Sequence, residues 1–141
     1  MSKYHQGTYE PKNPQKYAGT RLPRYRSGWE LTFMRMCDNH PAILSWASEP
    51  VKIPYRNPLT GKYTHYVPDF IMVYKNNTGN RIAELVEIKP KNHTILETAK
   101  TSHQKATILL NRAKWLSAGE WAKRKGMKFR VINEDSIYKI K

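Results

Sequence analysis

Two β-strand patterns joined by one turn constrain the fold of this chain more than any other feature. The apolar runs 67–74 and 82–88 flank a short Gly/Asn-rich gap, which predicts a β-hairpin. Because side chains alternate along a strand, Glu87 and Lys89 should project to the same side of the second strand. Asp69 lies near the end of the first strand that is far from the turn, and the alternation that begins at Tyr63 is expected to lead into Asp69 without a break. The pairing therefore predicts two carboxylates and one ammonium at one point.

Such a group of charges is the chemistry of a divalent-metal phosphodiesterase. Attack on a phosphodiester builds charge on the phosphate oxygens, and a divalent ion offsets that charge as a Lewis acid. Mg²⁺ prefers oxygen ligands and usually takes one or two protein carboxylates, here Asp69 and Glu87, to which the carbonyl of Ile88 could add another oxygen. Lys89 would position or deprotonate the attacking water and offset charge in the transition state. The alternative for these residues is an exposed strand face with a cross-strand ion pair.

A helix that precedes the strands carries a further carboxylate. Ser27 is a favourable N-cap, Glu30 follows at the spacing of a capping box, and Pro41 ends the helix near Asn39. Glu30 is aligned with an apolar stripe that contains Phe33, and a carboxylate that faces a core is unfavourable unless it is paired. Two interpretations stay open: Glu30 only caps the helix, or it is a third acid that faces the metal site.

Composition limits the class of protein. A chain of 141 residues predicts one domain, and a formal net charge of +14 favours a polyanionic partner such as nucleic acid. No apolar run approaches the roughly 18 residues of a membrane span, and the first residues do not form a signal-peptide pattern. The single cysteine, Cys37, excludes an internal disulfide and a multi-cysteine zinc site. We expect a protein that is neither secreted nor bound to a membrane.

Residues 1–26 are predicted to form an extended basic arm. They lack apolar periodicity and carry six lysines and arginines against one glutamate, with tyrosines and prolines interleaved. Two interpretations stay open: a solvated arm, or an arm that wraps nucleic acid or a partner, with arginines on phosphates and tyrosines stacking. Residues 27–141 would then form the single domain.

A long helix is predicted from about Ser102 to Lys125, with Gly126 as its C-terminal stop and a final strand over 127–132. Gly119 could end or kink it earlier. Its buried stripe is expected to contain Ala106, Leu109, Leu110, Ala113 and Leu116. The opposite, solvated stripe is expected to contain Gln104, Thr107, Asn111 and Lys114.

The element order predicts an α+β fold with a central mixed sheet that helices cover. The helix over 102–125 makes a β–α–β crossover, so the final strand should lie parallel to the strand that carries Glu87.

The residues Glu30, Pro68-Asp69 and Glu87-Ile88-Lys89 together resemble the motif of the PD-(D/E)xK nuclease superfamily. The element order is similar to the α-β-β-β-α-β core of that superfamily, which implies a restriction-endonuclease-like fold. A closer resemblance covers nearly the whole chain. The segments 25–30, 43–49, 66–70 and 86–90 resemble the head-completion nucleases of contractile-tailed phages, and the nuclease subunit of heteromeric bacterial transposases shares the same core.

The resemblance implies specific roles for these residues. Asp69 and Glu87 would be metal ligands, Glu30 would support or join the metal site, and Lys89 would be the catalytic lysine. Gln104 corresponds loosely to a polar residue that some relatives place on the helix after the motif. The protein would act on the end of the packaged genome or at the portal vertex before tail joining, in the host cytoplasm or the virion. Phage head, portal-vertex or neck proteins are the protein partners that the resemblance implies.

The sequence thus predicts a Mg²⁺-dependent DNA endonuclease, in which Mn²⁺ can replace Mg²⁺. It would leave 5′-phosphate and 3′-hydroxyl ends, as its relatives do. Contacts mainly to phosphates imply low sequence specificity for double-stranded DNA. The residues expected to hold the duplex are Arg21, Arg24, Arg26, Lys91, Gln104, Lys105, Arg112 and Lys114.

Other functions fit the sequence less well. Asn39-His40 and Asn92-His93 do not lie in the histidine-bearing hairpin of an HNH nuclease, and the five histidines lack zinc-site spacing. Gly61-Lys62 lacks the earlier glycine and the following Ser or Thr of a P-loop. The alternative from another class is a structural DNA-binding or portal-vertex protein that keeps the fold without cutting.

Overall fold

The computed structural model describes residues 6–90 and 100–137. Within these ranges the elements are β1 (Gly7–Thr8), β2 (Arg24–Tyr25), α1 (Gly28–Asn39), β3 (Ile43–Ser48), β4 (Ile53–Arg56), β5 (Tyr63–Tyr66), β6 (Phe70–Lys75), β7 (Arg81–Ile88), α2 (Ser102–Arg124), β8 (Lys128–Ile132) and α3 (Glu134–Ile137). None of the helices in the two ranges is long and apolar enough to cross a membrane.

The central sheet is mixed, as the sequence predicts. Its strand order is β3-β6-β7-β8, with β3, β6 and β7 antiparallel and β8 parallel to β7. The predicted hairpin is confirmed, because β6 and β7 pair over their whole length with Phe70 opposite Val86. The predicted crossover through α2 is confirmed as well. The architecture is that of a restriction-endonuclease-like α+β fold.

Two apolar layers cover the two faces of this sheet. Val86 and Ile88 of β7 face the layer that packs under α1, where Phe33, Met34 and Cys37 are buried. The other face packs against α2 and the β4–β5 ribbon. Its buried residues are Ile53, Tyr55, Tyr66, Leu85, Ala118 and Ala122. Strand β7 is therefore covered on both sides, and the polar side chains at its end lie in a largely buried setting.

The predicted continuous strand from Tyr63 into Asp69 is broken in the structure. β5 ends at Tyr66 and pairs with β4, so these two strands form a separate two-stranded sheet, here called the ribbon (residues 53–66). The chain then passes through three residues before β6 begins at Phe70. The break lets Tyr66 belong to the ribbon while Asp69 stays at the end of the central sheet.

Helix α2 has the predicted length but not the predicted orientation. Leu109 is 44% exposed and Leu116 is 68% exposed, whereas Asn111 is buried. The buried stripe contains Ile108, Asn111, Ala118 and Ala122. The predicted buried stripe is therefore wrong at Leu109 and Leu116, whereas Leu110 and Ala113 do pack against the core. The reason is that α2 lies against β4 and β8, where the small side chains of its second half fit.

The two glycines near the end of α2 behave differently. The helix continues through Gly119, so the proposed break there is wrong. Gly126 follows the helix with φ of 72°, a left-handed conformation that glycine adopts without strain. It ends the helix as predicted.

Residues 6–26 lie docked on the domain rather than splayed into solvent. Tyr9 OH and the backbone N–H groups of Lys12 and Asn13 donate hydrogen bonds to the buried Asp38 carboxylate of α1. Ala18 N donates to Trp46 O at the outer edge of β3. Burial acts to raise the pKa of Asp38, but these hydrogen bonds outweigh it and hold that pKa below its usual value. The predicted boundary at residue 26 stays a prediction.

Candidate active site

Asp69 directly precedes β6, at the end of the central hairpin that is far from the turn. Continuing the β6–β7 register by one step from the Phe70–Val86 pair places Asp69 opposite Glu87. Its Oδ2 accepts a hydrogen bond from Ile88 N at 2.8 Å, and its backbone carbonyl accepts one from Glu49 N at 2.8 Å. These bonds fix both the backbone and the side chain of Asp69 against two neighbouring strands.

Glu87 is the most enclosed of the predicted site residues. It is 5% exposed, and its Oε1 accepts a hydrogen bond from Tyr66 OH at 2.7 Å. Its Oε2 lies 3.6 Å from Lys89 Nζ. Lys89 is anchored by its backbone N–H, which donates to Ile132 O of β8 at 2.9 Å. The predicted arrangement of Glu87 and Lys89 on one side of the strand is thus present.

Glu30 both caps its helix and takes part in the electrostatics of the site. Its N–H donates to Ser27 Oγ at 3.1 Å, as an N-cap requires. The returning bond differs from a standard capping box, because Glu30 Oε1 accepts from Arg26 N at 3.3 Å and not from Ser27 N. Burial raises the pKa of Glu30, and the nearby Glu87 carboxylate raises it further. The two interpretations of Glu30 are therefore compatible.

Burial is the main cause that raises the pKa values of the three acids Glu30, Asp69 and Glu87. Burial, then Glu87, then Glu30 raise the pKa of Asp69 well above its usual value, although the Ile88 N–H and Lys89 oppose the shift. Burial also raises the pKa of Glu87, against the opposing hydrogen bond from Tyr66 and the charge of Lys89. Close carboxylates in a buried site repel each other, and a bound cation relieves that repulsion.

The donor set fits one hard divalent cation. Asp69 and Glu87 offer carboxylate oxygens from adjacent strands, which suits an ion that takes one or two protein carboxylates and keeps several waters. Within residues 6–90 and 100–137, no three His, Cys, Asp or Glu side chains converge as a metal-binding group. The roles of Asp69 and Glu87 as direct ligands stay predictions. The ligand roles of Glu30 and of the Ile88 carbonyl stay predictions.

Tyr66 is a site residue that the sequence reasoning missed. It donates to Glu87 from the ribbon, and burial together with the charge of Glu87 raises its pKa. The signal that could have found it is its position three residues before Asp69, at the one buried position of β5. The continuous strand that was predicted from Tyr63 to Asp69 hid its separate role.

Lys114 belongs to the wall of the site and not to a solvated stripe. Its Nζ lies 5.9 Å from the centre of the Tyr66 ring. Burial and the charge of Lys89 lower the pKa of Lys114, and Glu87 opposes that shift. Asn111, one turn earlier, is buried. The polar stripe expected to face solvent therefore includes residues that face the sheet.

The other residues predicted to hold DNA are spread around the site. Arg21, Arg24 and Arg26 line a groove of about 750 Å³ between the N-terminal segment and the end of β3. In this groove Arg26 Nη1 forms an ion pair with Glu49 Oε1 at 2.6 Å. The DNA-binding roles of these arginines stay predictions.

The remaining predicted contacts lie on or near α2. Gln104 Oε1 accepts from the N–H groups of Lys100 and Thr101 and so completes the N-terminal cap of α2. Lys105 and Arg112 are exposed on the helix. Lys91 lies outside the described residues.

Comparisons with known proteins place this geometry in context. The family model of the N-terminal domain of TnsA-like endonucleases matches residues 40–134. The head completion nuclease of Enterobacteria phage T4 is 35% identical over 142 aligned positions, which cover 93% of this chain and 92% of the phage protein. The family match contains Asp69, Glu87 and Lys89 and begins after Glu30. Both relatives are nucleases by name, in agreement with the resemblance found in the sequence.

Proposed function

This chain belongs to the family of TnsA-like endonucleases, and we propose that it is a Mg²⁺-dependent DNA endonuclease of phage head completion. The observation that carries the metal dependence is the pair of the partly buried Asp69 and the buried Glu87, with Lys89 beside Glu87. Two carboxylates with raised pKa values at one point are unfavourable for a purely structural role. A divalent cation held by Asp69 and Glu87 would offset the repulsion between the carboxylates and supply the Lewis acidity of the site.

Asp69 and Glu87 would hold the ion, which when bound supplies Lewis acidity at the phosphate. Each carboxylate keeps one oxygen on a fixed donor, Asp69 on Ile88 N and Glu87 on Tyr66 OH, so the pair is preorganised. Mn²⁺ prefers similar oxygen ligands and is expected to substitute for Mg²⁺.

Lys89 is the residue proposed to act on the water and the phosphate. Its Nζ is 3.6 Å from Glu87 Oε2 and a third of its side chain is exposed, so it can reach a substrate at the mouth of the site. In that position it would orient or deprotonate the attacking water and offset charge on the phosphate. Lys114, whose Nζ lies 5.9 Å from the centre of the Tyr66 ring, is a second cation close enough to feel the charge of Lys89.

The substrate proposed is double-stranded DNA bound with low sequence specificity. The net charge of +14 and the arginines around the groove beside the site favour contacts with phosphates. The similarity to a head completion nuclease along almost the whole chain supports action on packaged DNA before tail joining. Such a protein would work in the host cytoplasm or in the virion, beside head, portal-vertex or neck proteins.

The decisive experiment compares two buried glutamates of the same strand. Supercoiled and linear duplex DNA would be incubated with Mg²⁺, Mn²⁺ or EDTA and with the wild type, Glu87→Gln or Glu84→Gln. Glu84 is as buried as Glu87 and also lies on β7, but it faces the α1 side of the sheet, beside Met72, rather than the Asp69 side. We expect metal-dependent cutting by the wild type and Glu84→Gln, and none by Glu87→Gln.

Two results would contradict the proposal. If Glu87→Gln cuts at the wild-type rate, the site assignment is wrong. If the wild type binds DNA but cuts neither substrate with either metal, the protein fits the structural vertex role better.

A further inference from the structure

The ribbon of β4 and β5 has one buried face and one exposed face. Ile53, Tyr55 and Tyr66 point into the layer under α2 and are almost fully buried. The alternate positions include Arg56, which is exposed, and Tyr63, which is 79% exposed. Arg56 pairs directly with Tyr63 across the ribbon. A tyrosine so exposed beside an arginine is a feature of a surface that meets a partner.

The charge of this segment selects the chemistry of the partner. Residues 50–68 contain three Lys or Arg residues, Lys52, Arg56 and Lys62, and no Asp or Glu. A surface that carries only positive side chains and an exposed aromatic ring complements a phosphate backbone. A protein–protein interface, in contrast, is generally depleted of lysine. Nucleic acid is therefore the partner that fits the outer face.

The tip of the ribbon is held in one conformation. Asn57 N donates to Lys62 O at 2.8 Å, and Gly61 N donates to Asn57 O at 2.7 Å. Arg56 Nε donates to Gly61 O at 3.1 Å, which ties the arginine side chain across the turn. Gly61 has φ of 74°, which a residue with a side chain would adopt only with strain. Cations that are already placed lose less conformational entropy when they bind.

The base of the ribbon is part of the candidate active site. Tyr66 ends β5 and bonds to Glu87, and Asp69 follows three residues later. At about 3.3 Å per strand residue, Lys62 lies about 13 Å along the ribbon from Tyr66. That distance corresponds to about four base-pair steps of B-DNA at about 3.4 Å each. A two-stranded ribbon also fits the major groove, which is about 12 Å wide.

We propose that the exposed face and the tip of the ribbon form a duplex-binding surface that follows the DNA from the cleaved bond to about four base pairs on one side. The inference rests on the proposed nuclease function and adds a surface that the sequence did not assign to DNA. Lys52 at the base of the ribbon and Arg56 and Lys62 at its tip contact phosphates, and Tyr63, which pairs with Arg56, lies against the DNA backbone. The duplex is thus gripped on one flank by an element that also holds Glu87.

The test uses two triple variants of equal charge in a Glu87→Gln background, which should bind DNA without cutting it. The ribbon variant replaces Lys52, Arg56 and Lys62 with Gln. The control variant replaces Lys75, Arg81 and Lys128, which are exposed away from the Asp69 end of the sheet. Binding of a 30-base-pair duplex would be measured against salt concentration, together with hydroxyl-radical footprints.

Each lost phosphate contact lowers the slope of log K against log salt by about 0.9, so the ribbon variant should lose about 2.7 in slope. The control should lose less than about one. The footprint of the ribbon variant should retract on one flank by about four base pairs. Lys62→Gln alone, a single exposed change that leaves the ribbon core intact, should lower the slope by about 0.9.

Equal slopes and equal footprints for the two triple variants would overturn the inference. The proposed nuclease is judged separately from wild-type cleavage. If the wild type cuts DNA and the ribbon changes have no effect on binding, the nuclease function is supported and the ribbon surface is rejected. If the wild type never cuts DNA but its binding depends on the ribbon, the ribbon surface is supported and the nuclease function is rejected.

Discussion

Glu84 and Glu87 lie three residues apart on β7, and their surroundings are alike in almost every local respect. Each is 5% exposed. Each accepts a hydrogen bond from a tyrosine, Tyr74 for Glu84 and Tyr66 for Glu87. Each also has a cation nearby: Arg130 Nε lies 3.0 Å from Glu84, and Lys89 Nζ lies 3.6 Å from Glu87.

The difference lies in what else each glutamate faces. Glu87 lies beside Asp69, and burial raises its pKa. The charge of Glu87 in turn adds to the burial that raises the pKa values of Asp69 and Glu30. Glu84 has a closer cation and lies on the opposite face of the strand, toward Met72 and Tyr74. A tyrosine and a cation thus suffice to stabilise one buried carboxylate. The additional carboxylate of Asp69 beside Glu87 is what would favour a bound metal ion. Four predictions test this comparison, from the largest effect to the smallest.

The two cations should differ most. We expect Lys89→Ala to reduce cleavage at least about a thousandfold, or about 4 kcal/mol in activation free energy, while salt-sensitive DNA binding persists. Arg130→Ala should leave cleavage within about twofold and lower the free energy of unfolding by about 1 kcal/mol, because it leaves Glu84 with less compensation. Cleavage rates and denaturant unfolding of both variants would be compared. Equal cleavage by the two variants would contradict the role of Lys89.

The two tyrosines should differ in their effect on the metal. Tyr66→Phe removes the hydroxyl that orients Glu87, and such supporting bonds change metal affinity by about 10–100-fold. We expect the Mg²⁺ concentration for half-maximal cleavage to rise about tenfold. Tyr74→Phe should leave that concentration unchanged, since it supports only Glu84. A metal titration of cleavage measures both, and a matching shift in the two variants would contradict the distinction.

Neutralising one acid should have opposite effects at the two positions. Asp69→Asn removes repulsion from a buried pair, so the metal-free protein should gain on the order of 1 kcal/mol, or roughly 3 °C in Tm. Glu84→Gln breaks an ion pair with Arg130 and should lose a similar amount. Thermal unfolding in EDTA measures both changes. A fall in Tm for Asp69→Asn would mean that the two carboxylates do not repel each other strongly.

The pH dependence of stability should follow the raised pKa values. A carboxyl group with a raised folded pKa contributes stability below its unfolded pKa, near 4, and loses that contribution as pH rises through the folded pKa. The metal-free protein should therefore become more stable as pH falls from 7 to 5. The slope should shrink in Asp69→Asn and persist in Glu84→Gln. Denaturant unfolding in EDTA at several pH values checks this, and identical slopes in both variants would contradict it.

The contrast also shows what the sequence could predict. The alternation along β7 placed Glu87 and Lys89 together, and the hairpin brought Asp69 to them, because both depend on local pairing. The orientation of α2 depends on packing between distant elements. Leu109 and Leu116 are exposed since the surface of β4 and β8 accepts small side chains. Sequence periodicity gives the more apolar side of a helix, not the side that a neighbour can accommodate.

The N-terminal segment was the other part that local reasoning could not predict. Its prolines and charges lack periodicity, yet Tyr9 and Tyr17 pack against the core and Tyr9 bonds to Asp38. These contacts join residues more than 20 positions apart, so neither spacing nor composition reveals them. The buried Asp38 carboxylate of α1 accepts three of the hydrogen bonds that hold the segment, and nothing local marks Asp38 as different from an exposed helix residue.

The docked segment has a consequence for the handling of this protein. The central sheet has two outer strands, β3 and β8, and residues 17–18 cover part of β3 through a bridge to Trp46 and a hydrogen bond to its carbonyl. An uncovered outer strand offers its backbone groups to other chains. A chain shortened to begin at residue 27 would expose this strand and the indole beside it. Such a fragment should self-associate through edge-to-edge pairing of exposed β3 strands, even though every residue of its candidate active site is intact.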